Sequence, residues 1–229
     1  MDNLFSVLAL SDSDKDVSAS ASPSSSASSI SGKSRKDEKR EIPPQVCNMP
    51  LVWIDLEMTG LDVKSDRILE IACIVTDGNM KEIIEGPNLV IRQSAECLQG
   101  MSEWCVNQHG VSGLTDEALK STISEEEAEE RVMEFVKQHV GSYTPQLAGN
   151  SVYMDFIFLK KYMPGLASML SHNIVDVSSV KAICARWYPK EFKNTPVKAN
   201  KHRAMPDIIE SIEELIYYRR CIFRKKPRA

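Results

Sequence analysis

The chain has 229 residues, of which 42% are hydrophobic and 26% are charged, and its net charge is −4. The composition is ordinary for a folded domain, and no apolar run approaches the roughly 18 residues that a membrane-spanning helix needs, so no membrane segment is predicted. A protein that grips long nucleic acid usually has a basic face, so a nucleic-acid substrate would have to be short, or metal ions would have to offset its phosphates.

The first 45 residues differ in composition from the rest of the chain. Ser18 to Ser34 contains ten serines in seventeen residues, and the stretch from Lys33 to Glu41 is nearly all charged. Such a segment buries too little apolar surface to offset its ordering entropy, so residues 1–45 are predicted to be a disordered tail. A serine-rich start could be a mitochondrial or other organelle transit peptide, but its early aspartates are untypical of one, which favours a cytoplasmic protein.

The predicted folded domain spans residues 46–222 and begins with three strands. These are expected at Leu51–Met58, Arg67–Thr76 and Pro87–Arg92, with the turn signal Asp77-Gly78-Asn79 between the second and the third. Short links between the strands predict an antiparallel meander.

Helices and short strands alternate after this meander. Ser124 and Glu127 form a capping box, and apolar residues follow it at helical spacing. Strands first and then alternating elements predict an α/β fold, with a mixed sheet flanked by helices and a basic tail at 223–229. The later elements are strands at Leu147–Asn150 and Ile174–Val177 and helices at Asp155–Met163, Ser178–Trp187 and Asp207–Ile222.

Two carboxylates interrupt the first strand, LVWIDLEM. Asp55 and Glu57 are two residues apart, so they point to one face of the strand with Cα atoms roughly 7 Å apart. Two unpaired carboxylates are costly to bury, and a divalent cation would remove that cost. The pair therefore predicts a metal site, although both side chains could instead reach solvent at a sheet edge.

Three later residues have the same ambiguity when each is taken alone. Asp155 begins a predicted helix after a short strand, and His202 precedes Asp207 by five residues at the start of the last helix. Acidic side chains favour helix N-termini in any protein, and His202 could be an ordinary loop histidine.

Together, these residues and their flanking segments resemble a known family. The order and spacing of Asp55, Glu57, Asp155, His202 and Asp207 are similar to those of the DEDDh 3′→5′ exonucleases, which have an RNase H-like (DnaQ-like) fold. The segments GLDVKSDRILEIACIVTDG, GNSVYMDFIFLKKYMP, DVSSVKAICARWYP and HRAMPDI resemble the oligoribonuclease branch of that family. The resemblance covers roughly residues 50–222 and implies a mixed five-stranded sheet.

The resemblance implies a metal-dependent exoribonuclease that degrades short oligoribonucleotides, including dinucleotides, to nucleoside 5′-monophosphates. It implies that Asp55, Glu57, Asp155 and Asp207 hold two divalent metal ions, Mg²⁺ or Mn²⁺, and that His202 is the general base. It also implies a homodimer and a single-stranded RNA substrate of about two to five nucleotides, whose few phosphates suit the acidic net charge. A general exonuclease acting on DNA or longer RNA, and an inactive binding homologue, remain the alternatives.

Five further residues correspond by position to substrate contacts of the family: Leu61, Trp104, His109, Ser151 and Ser178. The resemblance implies that Leu61 wedges against a base, that Trp104 and His109 pack against the substrate, and that the two serines bind its 5′-phosphate. Alternatively, Trp104 is a core aromatic residue and His109 is a satisfied loop histidine.

One segment departs from the family pattern, which reads His-Tyr-Arg before the DVS motif. This chain has Ser171-His172-Asn173 instead. His172 stands where the family has a tyrosine near the active site, which makes it a candidate catalytic residue. Asn173 replaces the arginine that helps to bind the terminal phosphate, and asparagine cannot make a bidentate charged contact. A weaker or broader length preference is therefore expected.

Overall fold

A computed structural model describes residues 46–199 and 202–223. The tail predicted at 1–45 lies outside the described residues, as does all but the first residue of the tail predicted at 223–229. Five strands form one sheet: β1 (Leu51–Met58), β2 (Ile68–Thr76), β3 (Ile83–Val90), β4 (Gln146–Gly149) and β5 (Val175–Asp176).

The sheet has the order β3-β2-β1-β4-β5. β1 pairs with β2, and β2 with β3, in antiparallel orientation. β4 pairs in parallel with both β1 and β5. The predicted antiparallel meander and mixed five-stranded sheet are therefore confirmed.

Helices flank this sheet: α1 (Ala95–Gln99), α2 (Glu103–Val111), α3 (Leu114–Lys120), α4 (Glu125–Val140), α5 (Tyr153–Tyr162), α6 (Pro164–Met169), α7 (Val177–Trp187), α8 (Pro189–Lys193) and α9 (Ala204–Cys221). The four predicted helices are α4, α5, α7 and α9, and α9 begins three residues before its predicted start. α5 ends at Tyr162, one residue before the predicted end, and Pro164 then begins α6, because proline suits the first helical position.

The boundaries predicted for the third strand were wrong. β3 begins at Ile83 rather than at Pro87, so the proline lies within the strand. β3 is an edge strand, where a missing N–H costs little. The pairing with β2 is irregular at this point, because Gly86 and Pro87 both lie opposite Cys73.

The buried core occupies both faces of the sheet. Residues 52, 54 and 56 of β1 belong to a cluster that includes the apolar faces of α4 and α5. The alternate residues Leu51 and Trp53 belong to a second cluster, which includes Ile208 and Ile212 of α9. The side chains of Asp55 and Glu57 therefore follow the strand face that packs against α9. Among the described residues, no helix is long and apolar enough to cross a membrane.

Candidate active site

Asp55 and Glu57 lie at the end of β1, where the face toward α9 changes from apolar to acidic. Asp55 is partly buried, and the Glu57 side chain is 12% exposed. Glu57 pairs directly across the sheet with Glu70 of β2. Side chains that are directly opposite in an antiparallel pair share a face, so a third carboxylate lies beside these two.

Asp155 comes from α5 and is held against β1. Its side chain is 6% exposed, and its Oδ1 accepts a hydrogen bond of 2.9 Å from the backbone N–H of Leu56. Because Leu56 lies between Asp55 and Glu57 in the chain, this bond brings the Asp155 carboxylate to the same end of the strand.

α9 and the residues before it supply the remaining side chains. Ligand atoms of Glu57, His202 and Asp207 all lie within 4.8 Å of one another. Asp207 is in the first turn of α9, and its Oδ1 is buried without a hydrogen-bond partner among the described residues. His202 has a positive φ of 50°. The structure thus brings together five of the six residues predicted for catalysis and metal binding, and the sixth, His172, lies elsewhere.

We refer to Asp55, Glu57, Asp155 and Asp207 as the site carboxylates. Burial, with the nearby Asp207, Glu70 and Asp155, raises the pKa of Glu57 to about 8, although Arg203 lowers it. Burial also raises the pKa of Asp207 to about 6 and lifts the pKa values of Asp55 and Asp155. Like charges so close together cannot all be ionised at neutral pH without added positive charge.

These residues fit a divalent cation in both chemistry and contacts. Carboxylate oxygens are the ligands that Mg²⁺ and Mn²⁺ prefer. An unpaired buried oxygen such as Asp207 Oδ1 is costly in a folded protein, and a bound cation would satisfy it. Glu57 and Asp207, whose ligand atoms lie within 4.8 Å of each other and of His202, are therefore candidate ligands of a cation.

Leu61 lies on a short loop that follows β1 and is 68% exposed. Asp66 closes this loop by accepting hydrogen bonds from Thr59 Oγ1 at 2.9 Å and from the Asp62 N–H at 2.8 Å. Gly60 is needed for the closure, because a Cβ there would lie 2.5 Å from an Asp66 oxygen. The loop thus leaves an apolar side chain on the surface four residues after Glu57.

Trp104 and His109 both lie on α2, which was not predicted, but in different surroundings. Trp104 is 59% exposed and is therefore not a core residue, and its ring meets the His202 ring edge-on at 5.6 Å. His109 is 2% exposed, and its Nε2 donates to the Met58 carbonyl at 2.9 Å. Burial lowers the pKa of His109, and Nδ1 of its ring lies 3.9 Å from Glu57. Trp104 thus faces solvent, whereas His109 lies behind the carboxylates.

Ser151 and Ser178 lie together, as the resemblance implied, with their hydroxyl oxygens 3.1 Å apart. Asp176 accepts hydrogen bonds from the backbone N–H groups of both serines, at 3.1 and 2.8 Å. The Ser178 hydroxyl also donates to the Asn150 side chain. The two hydroxyls are held at the carboxyl ends of β4 and β5.

His172 and Asn173 are exposed between α6 and β5. His172 does not belong to the group that Glu57, His202 and Asp207 form among the described residues. The catalytic role expected for His172 thus has no contact in the structure to support it.

Sequence reasoning missed Glu70 and Arg203, whose side chains pair beside the site carboxylates. A usable signal was present in β2, where Glu70 is the one charged residue in a strand of nine buried residues. The same reasoning that singled out Asp55 and Glu57 applies to it.

Residues 52–215 match the RNase T family model, which describes an exonuclease. An oligoribonuclease of Arabidopsis thaliana is 54% identical over 226 residues, which cover 99% of this chain and 98% of that relative. The mitochondrial oligoribonuclease of Homo sapiens is 51% identical over 176 residues, 77% of this chain and 74% of that relative. An oligoribonuclease of Chromobacterium violaceum is 46% identical over 169 residues, 74% of this chain and 93% of that relative.

Solved structures of Escherichia coli exonuclease I have the same fold. The zinc-bound complex with single-stranded DNA aligns with a TM-score of 0.60 at 17% identity, over 77% of this chain and 42% of that chain. The complex with a dA16 oligonucleotide aligns with a TM-score of 0.58 at 17% identity, over 76% of this chain and 41% of that chain. The predicted exonuclease fold is confirmed.

Proposed function

The chain belongs to the oligoribonuclease family of exonucleases, and we propose that it removes nucleoside 5′-monophosphates from the 3′ end of short RNAs. Its relatives from plants, animals and bacteria are oligoribonucleases, so the protein is a nuclease that hydrolyses RNA. The observation that carries the proposed mechanism is the position of His202, within 4.8 Å of ligand atoms of Glu57 and Asp207.

The proposed cofactors are two divalent cations, Mg²⁺ or Mn²⁺, held by the site carboxylates. Support comes from the raised pKa values of these groups and from the unpartnered oxygen of Asp207. When bound, such cations supply positive charge to the scissile phosphate and its leaving oxygen, and they acidify water.

In the proposed reaction, His202 accepts a proton from the attacking water, whose oxygen forms a bond to phosphorus. The bond from phosphorus to the 3′-oxygen of the preceding nucleotide breaks, and that oxygen takes up a proton. The products are a nucleoside 5′-monophosphate and an RNA that is one nucleotide shorter. Histidine is the side chain that most often performs such a proton transfer.

Substrate binding is proposed for the exposed residues around this centre. Leu61 and Trp104 are exposed, and an aromatic face that stacks on a base is worth about 1–3 kcal/mol whatever the base. Ser151 and Ser178 would receive the 5′-phosphate. His109 would act from the buried side of the site, because only 2% of its surface is exposed.

A broader length preference is a second proposal, and Asn173 is the residue that favours it. Without the family's arginine, the 5′-phosphate loses a bidentate charged contact. We expect RNAs of about five to ten nucleotides to be degraded at rates comparable with those of 5′-phosphorylated dinucleotides. Much faster turnover of the dinucleotides would contradict this. Matched DNA oligomers test the alternative of a general exonuclease.

A homodimer and a cellular location are also proposed. Ile183 and Trp187 of α7 are 43% and 70% exposed, and a second copy of the chain could cover them. The human and bovine relatives are mitochondrial, and no helix among the described residues spans a membrane. We propose a cytoplasmic enzyme, with the mitochondrion as the alternative.

The direct test is an assay of 5′-labelled RNAs of about two to twenty nucleotides, with Mg²⁺ or with EDTA. His202→Ala should lower kcat by about 100-fold or more, because it removes the general base. Asp155→Asn should have an effect of similar size, because it removes a ligand of the cations that the reaction needs. Single-nucleotide steps from the 3′ end are expected, with no turnover in EDTA. Full activity in EDTA would overturn the cation assignment.

A further inference from the structure

Glu70 is a fifth carboxylate beside the site, and its surroundings differ from those of the other four. Its side chain is fully buried and lies directly across the sheet from Glu57. The Cβ atoms of such a pair are typically about 4.5–5.5 Å apart, so the Glu70 charge bears directly on the site. Whether Glu70 adds to the negative charge of the site carboxylates depends on the groups that contact it.

Arg203 neutralises Glu70 through a bidentate contact. Its Nη2 donates to Glu70 Oε1 at 3.0 Å, and its Nε donates to Oε2 at 3.1 Å. Glu70 Oε2 also accepts the backbone N–H of Ala204 at 3.1 Å. The Glu70 carboxylate is therefore occupied by groups of the protein itself.

The bond from Ala204 makes Glu70 a cap for α9. Arg203 is the N-cap residue, and its side chain carries only donors, so it cannot accept the free N–H groups of the first turn. A carboxylate from β2 provides the acceptor instead, and a negative charge is favourable at a helix N-terminus. The start of α9 is thereby fixed to the strand next to β1.

Arg203 also reaches α3 and the C-terminal end of α2, the helix that carries Trp104 and His109. Its Nη2 donates to Glu117 of α3 at 2.8 Å, and its Nη1 donates to Glu117 at 3.1 Å and to the Ser112 carbonyl at 3.4 Å. One guanidinium thus joins β2, the start of α9 and the α2–α3 segment.

The residues on either side of this joint are those of the proposed reaction. His202 precedes Arg203 and has a positive φ, a conformation that a non-glycine residue adopts only where its surroundings enforce it. Asp207 follows in the first turn of α9 and donates its N–H to the Arg203 carbonyl at 3.1 Å. The Trp104 ring packs edge-on against His202.

We propose that Arg203 and Glu70 are positioning residues: together they hold the His202 backbone and the first turn of α9 against β2, and the Arg203 guanidinium keeps the Glu70 carboxylate away from the cations. Neither side chain contacts the reacting atoms in this scheme. The inference rests on the proposed roles of His202 and Asp207.

The test compares Arg203→Met, Arg203→Lys and a control, Arg219→Met, in the full chain. Arg219 lies at the other end of α9 and binds Asn79, far along the helix from His202. Arg203→Met should lower kcat about 10- to 100-fold while KM changes less than about threefold, as expected when a supporting contact of a metal site is lost. Arg203→Lys should recover part of kcat, added guanidinium should partly rescue Arg203→Met, and Arg219→Met should match the wild type.

A double variant separates positioning from simple charge balance. Arg203→Met leaves the buried Glu70 charge unpaired and is expected to lower the Tm. The double variant, Glu70→Gln with Arg203→Met, removes that charge. The double variant should regain Tm but not kcat. Calorimetric titration with Mn²⁺ in the absence of RNA should show weaker binding in Arg203→Met than in Arg219→Met.

Two results would overturn the inference: wild-type kcat in a folded Arg203→Met protein, or recovery of both kcat and Tm in the double variant. The proposed function fails differently. In that case His202→Ala and Asp155→Asn would retain wild-type turnover, whatever the Arg203 variants do.

Discussion

Two carboxylates of α9, Asp207 and Glu214, have different surroundings and lie two turns apart on the helix. Glu214 is 1% exposed, and its carboxylate lies 3.0 Å from Lys198 Nζ and 3.3 Å from Lys181 Nζ. Burial alone would raise the pKa of Glu214, but the bond from Lys198 and the nearby cations lower it overall.

The site carboxylates have raised pKa values instead, because burial and the neighbouring carboxylates raise them and no lysine is bonded to them among the described residues. Within one fold, a buried carboxylate that the protein neutralises is part of the scaffold. One that stays uncompensated marks the place for a cation from solution. This difference predicts that replacing a carboxylate by an amide raises the free energy of unfolding at the site and lowers it at Glu214.

The largest effect is expected from Asp55→Asn, which removes one uncompensated charge without changing the shape of the side chain. We expect kcat on short RNA to fall between about 100- and 1,000-fold, as when one group that stabilises the transition state is lost. The free energy of unfolding in EDTA should rise, because repulsion among the site carboxylates decreases. Urea denaturation and steady-state kinetics measure the two; a less stable variant with normal kcat would reverse the comparison.

The pH dependence of stability should sharpen the contrast. The pKa of Glu57 is raised to about 8 in the folded protein, so the native state binds protons more tightly than the unfolded chain. Stability in EDTA should therefore fall as the pH rises from about 4.5 to about 8, by on the order of 4 kcal/mol from Glu57. Urea denaturation at several pH values tests this, with Glu57→Gln expected to flatten the curve and Mn²⁺ to restore stability most at high pH.

A smaller effect of the opposite sign is expected from Glu214→Gln. It leaves Lys181 and Lys198 without their carboxylate, and both are partly exposed, so we expect a loss of about 2 kcal/mol in unfolding free energy. The value of kcat should change far less than in Asp55→Asn. Glu127→Gln, which breaks an exposed pair with Arg131, is the control and should cost less than about 0.5 kcal/mol.

Much of the fold follows from patterns local in the sequence. The alternation in β1 and the helical spacing of α4 identify those elements because one face of each is buried. α2 escaped prediction because its apolar residues do not lie on one face: Trp104, Val106 and Val111 are exposed, whereas His109 is buried. The third strand was misplaced because Pro87 suggested a strand start, although an edge position tolerates it.

The proposed catalytic residues were found from the sequence because they follow the order of a known family. The residues that hold them in place were not found. Glu70 and Arg203 are 133 residues apart, and no local pattern indicates that they meet. The sequence around Glu214 likewise does not indicate that its carboxylate forms ion pairs with two lysines. Contacts of this kind depend on how the strands and α9 pack together, which single-sequence patterns do not specify.

The two edges of the sheet have a further consequence for association between copies. Pro87 and the bulge beside it interrupt the free edge of β3, and β5 offers only two residues at the other edge. Within residues 46–199 and 202–223, neither edge provides a long run of backbone donors and acceptors on which another strand could grow. Extension of this part of the sheet by a strand of another molecule, the kind of contact that leads to fibrils, is thus disfavoured.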